Sequence, residues 1–154
     1  MKRSLLKIWS ILPYWMQRIA SHLVRPHHLV AVGALILDKK GKLLLCEHTY
    51  RRQYPWGLPG GDLKPGEDPV QGLMREVREE TGMIIGAVEL LLAENIPDLR
   101  QLTLTYNCKN VKGVFQPNDE VAGIEYFDVN SLPELSRREQ ATINKCLERL
   151  NPVK

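Results

Sequence analysis

Residues Gly61 to Met83 read GDLKPGEDPVQGLMREVREETGM, and the rest of the chain is arranged around them. Asp68 is a good N-cap, and Pro69 fits the first helical position, where a missing N–H leaves nothing unpaired. Gly82 suits the left-handed residue just past a helix end. Between these limits Val70, Leu73, Met74, Val77 and Thr81 recur at spacings of three and four, the buried stripe of an amphipathic helix. Glu76, Glu79 and Glu80 fall beside that stripe at i, i+3 and i+4, so they crowd one patch of surface. Glu67 adds a fourth carboxylate from the preceding loop.

Like charges at this spacing cost up to about 0.5 kcal/mol per pair, and a helix selected only for stability would interleave cations among them. Arg75 and Arg78 are instead expected to project toward the far side, although Arg75 can reach Glu79 one turn on. Gly72, one turn before Glu76, weakens the helix by about 1 kcal/mol relative to alanine. It leaves a bare spot that a loop backbone or a ligand can approach. Repelling carboxylates are relieved by a hard divalent cation, and an all-oxygen donor set suits Mg²⁺ or Mn²⁺.

Gly61, five residues, Glu67, seven residues, then Arg75-Glu76-Val77-Arg78-Glu79-Glu80-Thr81-Gly82-Met83 resembles the Nudix box with every fixed position filled. The approach Leu58-Pro59-Gly60-Gly61 resembles the usual lead-in to that box. The resemblance covers about residues 28–150 and implies an α/β/α sandwich with a mixed β-sheet between helices. It implies hydrolysis of a phosphoanhydride in a nucleoside diphosphate linked to another group, X. By resemblance Glu79 and Glu80 are metal ligands with Glu76 beside them, and the Gly60 carbonyl adds a further ligand. Glu67 supports a second metal or holds Arg75, and Arg75 orients the carboxylates. The general base in such proteins is a box glutamate or one on a later loop, where Glu120 stands here.

At 154 residues the chain fits one domain, long enough to bury a real core. The division expected is an amphipathic helical extension over residues 1–26 and a Nudix domain over residues 27–152. A net charge of +3 with no basic run argues against a nucleic-acid groove, unless Arg51, Arg52, Arg137 and Arg138 form one patch for an RNA 5′ end. Cys46, Cys108 and Cys146 form neither a disulfide framework nor a metal spacing, which points to a reducing cytoplasm. His22, His27, His28 and His48 show no i, i+4 ligand pattern, and His27 and His28 read as surface residues.

In the first 25 residues Leu5, Ile8, Trp9, Leu12, Trp15, Met16, Ile19 and Leu23 recur at helical spacing, and Pro13 interrupts them. The apolar run is too short to span a bilayer. It can pack on the domain or a dimer partner, anchor at a membrane surface with Lys2, Arg3, Lys7 and Arg18, or cover the active site.

Leu29 to Leu37 reads as a central strand buried on both faces, with Asp38 to Gly41 turning into a return over Lys42 to Glu47. His48 to Pro55 is a polar, aromatic loop in which Arg51 and Arg52 can meet phosphate and Tyr50 can stack on a base. Trp56 reads as core. Further strands are expected over Ile84 to Ala93, Leu102 to Asn107 and Glu120 to Val129. Ser136 and Glu139 read as a capping box for a last helix with Ile143, Cys146, Leu147 and Leu150 inward. Family members that hydrolyse ADP-ribose carry a proline about fifteen residues past the box, and Pro97 stands near that place. ADP-ribose or a nucleotide sugar is therefore favoured as substrate. A nucleoside triphosphate, a lipid-linked diphosphate and a non-catalytic regulatory role are the alternatives.

Overall fold

The computed structural model describes residues 9–24, 28–86, 88–109 and 111–151. Helix α1 spans Tyr14–Val24, followed by strands β1 (Leu29–Ile36), β2 (Leu43–His48), β3 (Trp56–Gly57) and β4 (Gly60–Asp62). The box helix α2 spans Pro69–Thr81; then come β5 (Val88–Ile96), a 3₁₀ turn (Pro97–Leu99), β6 (Gln101–Cys108), β7 (Val121–Phe127) and α3 (Arg137–Leu150).

Two sheets form the middle layer. One is mixed, in the order β4-β1-β6-β5, with β1 parallel to β6 and antiparallel to β4. The other is antiparallel, in the order β3-β2-β7. The α/β class is therefore as the periodicity implies, with strands divided between a mixed and an antiparallel sheet.

Alternation along β1 and β2 builds both faces of the sandwich. Val32, Ala34, Ile36 and Leu44 join Leu73 and Val77 of α2 in one core cluster. Leu35, Leu43 and Leu45 join Ile143 and Cys146 of α3 in the other. Successive strand side chains point to opposite faces, so an almost uninterrupted apolar strand feeds two cores at once. Leu147 and Leu150 pack on the second cluster as partly buried neighbours, and so does Trp56, whose ring meets Phe127 edge-on.

Helix limits follow the local chemistry. The Asp68 carboxylate accepts the Val70 and Gln71 N–H groups at 3.0 and 3.1 Å. Gly82 sits at φ 71° and returns its N–H to the Arg78 carbonyl. At α3, the Ser136 hydroxyl accepts the Glu139 N–H at 3.1 Å. The second half of the capping box does not form, because the Glu139 carboxylate accepts the Leu58 N–H at 2.8 Å instead.

Three strand expectations shift. His48 ends β2 rather than opening a loop. The strand placed over residues 84–93 begins at Val88, with Ile84 instead in an isolated bridge to Lys112, and its register is irregular between Leu90 and Leu92. The last strand stops at Phe127. Pro13 divides the N-terminal stretch, with residues 9–11 helical ahead of it. His28 is exposed; His27 and residues 1–8 lie outside the described residues.

Candidate active site

The lead-in loop, α2 and the segment before β7 converge on one open cleft of about 500 Å³. Glu76, Glu80 and Glu120 line it together with Gly60 and Gly61, and Tyr50, Arg51 and Arg138 line it as well. Arg52 and Arg137 are not among its walls, because the chain turns Arg51 toward α3 and leaves Arg52 exposed. The four arginines do not form a single patch on this cleft.

Glu80 is not a surface residue. It is 3 % exposed, and its Oε2 accepts the Gly60 N–H at 2.7 Å. Burial pushes its carboxyl up to about 7, with the neighbouring carboxylate of Glu76 adding to the effect against the Gly60 N–H. Gly60 adopts φ +147°, and a side chain there would run into the Val32 carbonyl of β1. Gly61 is bare for a second reason: a Cβ would lie 2.6 Å from the Glu76 Oε2. The two glycines thus let the loop backbone lie against the carboxylates. Gly72 does a different job from the one its position suggests, since the Leu63 side chain and the Glu67 carboxylate fill the bare spot.

Arg75 does not point away. Its Nε and Nη2 donate to the two Glu67 carboxylate oxygens, each at 2.8 Å, as a bidentate fork. Its Nη1 donates to Glu76 Oε1 at 2.6 Å and to Glu79 Oε2 at 2.9 Å. The guanidinium therefore serves three carboxylates at once and holds the Glu67 carboxyl down at about 2. Glu79 is half exposed and stands outside the cleft wall.

Among the described residues no three acidic, histidine or cysteine side chains are placed to enclose a cation as they stand, and Arg75 engages oxygens of Glu76 and Glu79. The donor set still fits a hard divalent ion: a buried carboxylate short of a counter-charge, a second carboxylate cradled by a glycine, and oxygen atoms throughout.

Two participants are not evident from motif spacing. Asn118 donates from Nδ2 to the Glu79 and Glu80 carbonyls at 2.9 and 3.0 Å. Its Oδ1 accepts the Glu120 and Val121 N–H groups at 2.9 and 2.8 Å. It thereby closes the C-terminal end of α2 and fixes Glu120 beside it. His48 is 1 % exposed, and neither ring nitrogen has a hydrogen-bond partner. Its Nδ1 lies 3.6 Å from Glu80 Oε1, beyond hydrogen-bond length. Burial, with Arg51 nearby, brings the imidazole down to about 4, so it is neutral and the contact is not an ion pair. The available signal was the strand period: His48 follows Leu44 and Cys46 on the face turned to α2.

Arg51 stacks its guanidinium over Tyr50 at 5.8 Å and approaches Glu139 Oε2 at 4.0 Å. Gly57 has no side chain to obstruct that path. Cations and carboxylates thus line the same cleft, a combination that can grip an anion.

The family model for the NUDIX domain matches residues 27–150, and the chain belongs to the Nudix family. It is accordingly a pyrophosphohydrolase acting on phosphoanhydride bonds. An ADP-ribose pyrophosphatase of Methanocaldococcus jannaschii is 31 % identical over 118 residues, covering 71 % of this chain and 68 % of that protein. Among solved structures, an ADP-ribose pyrophosphatase from Streptococcus suis superposes with a TM-score of 0.66 at 25 % identity, covering 81 % of this chain and 93 % of that one. A UDP-X diphosphatase shares the fold with a TM-score of 0.68 at 24 % identity, covering 97 % of this chain and 79 % of that one.

Proposed function

We propose that the chain hydrolyses ADP-ribose or a nucleotide sugar between its two phosphates, using Mg²⁺ or Mn²⁺. The observation that carries this reading is the gathering of Glu76, Glu80 and Glu120 with Arg51 and Arg138 in the lining of one cleft. The Methanocaldococcus jannaschii and Streptococcus suis relatives support ADP-ribose. So does Pro97, which opens the 3₁₀ turn directly after Ile96, a residue of the cleft wall.

Glu76, Glu79 and Glu80 hold the cation with the Gly60 carbonyl, and Glu67 fixes Arg75 rather than taking a place of its own. When bound, the cation neutralises phosphate charge and polarises a phosphoryl oxygen as a Lewis acid. Arg51 binds a phosphate oxygen, and its partner Glu139 restricts where its guanidinium can go. Tyr50 supplies an apolar edge for the nucleoside. Glu120, held by Asn118, takes the proton from the attacking water at its carboxylate. Arg75 orients Glu76 and Glu79.

The test is product release from ADP-ribose, nucleotide sugars, dinucleotides and nucleoside triphosphates, with Mg²⁺, with Mn²⁺ and with EDTA, beside Glu79→Gln. ADP-ribose or a nucleotide sugar turned over only with metal, and far more slowly by the variant, is the expected result. Preference for a triphosphate would replace the substrate assignment with the sanitising alternative. Metal binding without any turnover would make the domain a regulatory module.

A further inference from the structure

The N-terminal helical segment presents an apolar face that the catalytic domain does not cover. Ile11 is 82 % exposed, Tyr14 75 %, Trp15 63 % and Ile19 53 %. Within α1, Trp15 and Ile19 stand at i and i+4 and share one side, and Ile11 and Tyr14 are exposed on either side of the break at Pro13. The break at Pro13 does not separate the two pieces freely. Gln17 reaches back and donates its side-chain amide to the Trp9 and Leu12 carbonyls at 3.1 and 2.9 Å. The Trp9 carbonyl also accepts the Leu12 N–H at 3.3 Å, and the Gln17 amide ties the end of the first helical piece to α1.

Charge is distributed just as unevenly. Lys2, Arg3, Lys7, Arg18 and Arg25 all precede the first acidic residue of the chain, Asp38. The remainder carries sixteen of the 21 Lys and Arg against all 18 Asp and Glu, a balance of −2. The positive net charge of the protein therefore resides entirely in the segment that carries the exposed Trp, Tyr and Ile side chains. Among the described residues no helix is long and apolar enough to cross a membrane.

We infer that this segment docks the enzyme on an anionic phospholipid surface, lying in the interface rather than spanning it. An apolar face rich in Trp and Ile with cations beside it matches the bilayer boundary, where rings settle at headgroup depth and basic residues meet lipid phosphates. Arg18, next to Trp15 and Ile19 on the helix, keeps its charge at the headgroups while its methylene stem lies along the apolar face. A dimer partner fits less well. The stretch ahead of Asp38 carries five basic and no acidic residues, so two copies of it repel one another.

The test uses the full chain and vesicles of phosphatidylcholine with and without phosphatidylglycerol, read by co-sedimentation and by Trp emission. Binding to the anionic vesicles with a blue shift, and little binding to neutral ones, is expected. Raising salt from about 0.1 M to about 1 M, which shortens the Debye length from about 10 Å to about 3 Å, weakens binding without abolishing it. Arg18→Gln weakens it about fivefold, the effect of one basic residue at such a surface. Trp15→Ser combined with Ile19→Ser reduces it at least tenfold and leaves hydrolysis of a soluble substrate unchanged, which also reports that the domain is folded. No association with anionic vesicles overturns the inference. So does a monomer–dimer equilibrium that the double substitution abolishes, because the face then belongs to a second copy. Vesicle binding is measured without turnover, so its failure is distinct from failure of the substrate assignment.

Discussion

Glu80→Gln should make the metal-free protein more stable at alkaline pH while destroying its use of metal. In the folded chain the carboxyl of Glu80 is pushed up to about 7 from an ordinary value of 4.5, first by burial. Between those two values the folded state keeps a proton that the unfolded state gives up. Stability therefore falls as pH rises from about 4.5 to about 7, and the loss is complete above that. At 1.36 kcal/mol per pH unit the total is about 3 kcal/mol. Glutamine presents the same shape without the charge. Its oxygen can accept the Gly60 N–H, and its amide can turn toward the unpartnered nitrogen of His48.

Thermal unfolding in EDTA at pH 5, 7 and 8.5 measures the difference directly. For a chain of this size about 3 kcal/mol corresponds to about 6–12 °C. Wild type and variant should coincide at pH 5 and separate as pH rises, with the variant melting higher. Mg²⁺ should then raise the melting temperature of wild type at pH 8.5 and do little for the variant. A difference that does not change with pH would show that Glu80 is not a buried, proton-holding group, and the account of the site would fail with it.

Other outcomes follow from the same contacts. Arg75→Ala should flatten the acid limb of stability: Glu67, held at about 2, contributes above about 4.5 and loses that contribution as pH falls toward 2, and urea unfolding at pH 6 and pH 3 reads the change. Arg51→Ala should raise KM more than it lowers kcat, as expected for uniform phosphate binding, whereas Arg52→Ala, outside the cleft, should match wild type in both. Asn118→Ala should cost about 1–2 kcal/mol in denaturant unfolding, since two N–H groups and two carbonyls lose their partner. The same change should lower kcat more than KM if Glu120 is the base it positions.

Most of the fold was legible because its signals are local. Asp68, Pro69 and Gly82 fix α2 through bonds within a few residues of themselves, and the apolar alternation of β1 predicts both faces it feeds. Errors arose where a distant element outbid a neighbour. Glu139 has the right spacing to close a capping box, yet the Leu58 N–H, far away in sequence, takes its carboxylate. Ile84 has the composition of a strand residue, but its backbone pairs with Lys112 before β5 begins. Helical angle alone puts Arg75 on the far side. A long side chain can swing around a helix, and Glu67 offers it a bidentate partner from a loop whose position no helical wheel contains. His48 shares the strand period of Leu44 and Cys46, a signal distinct from ligand spacing.

The box carries its negative charge in two ways, and the difference bears on how metal enters. Glu67, Glu76 and Glu79 share an internal cation, whereas buried Glu80 is held up to about 7 and keeps its proton below that pH. The fold can therefore exist without metal, despite a constellation that would otherwise repel itself. A metal arriving at Glu80 must displace a proton, whereas one drawing on Glu76 and Glu79 must compete with Arg75 for oxygens the guanidinium already uses. The first step is governed by pH and the second is not. Metal affinity should consequently fall about tenfold per pH unit below about 7 and level off above it. Arg75→Lys, which cannot make the fork to Glu67, should shift the whole curve without moving its midpoint. A Mn²⁺ titration followed by electron paramagnetic resonance across pH 5.5–8.5 tests both statements. A midpoint that moves with the arginine substitution would mean that the two steps are one, with Glu80 titrating as part of the arginine cluster rather than apart from it.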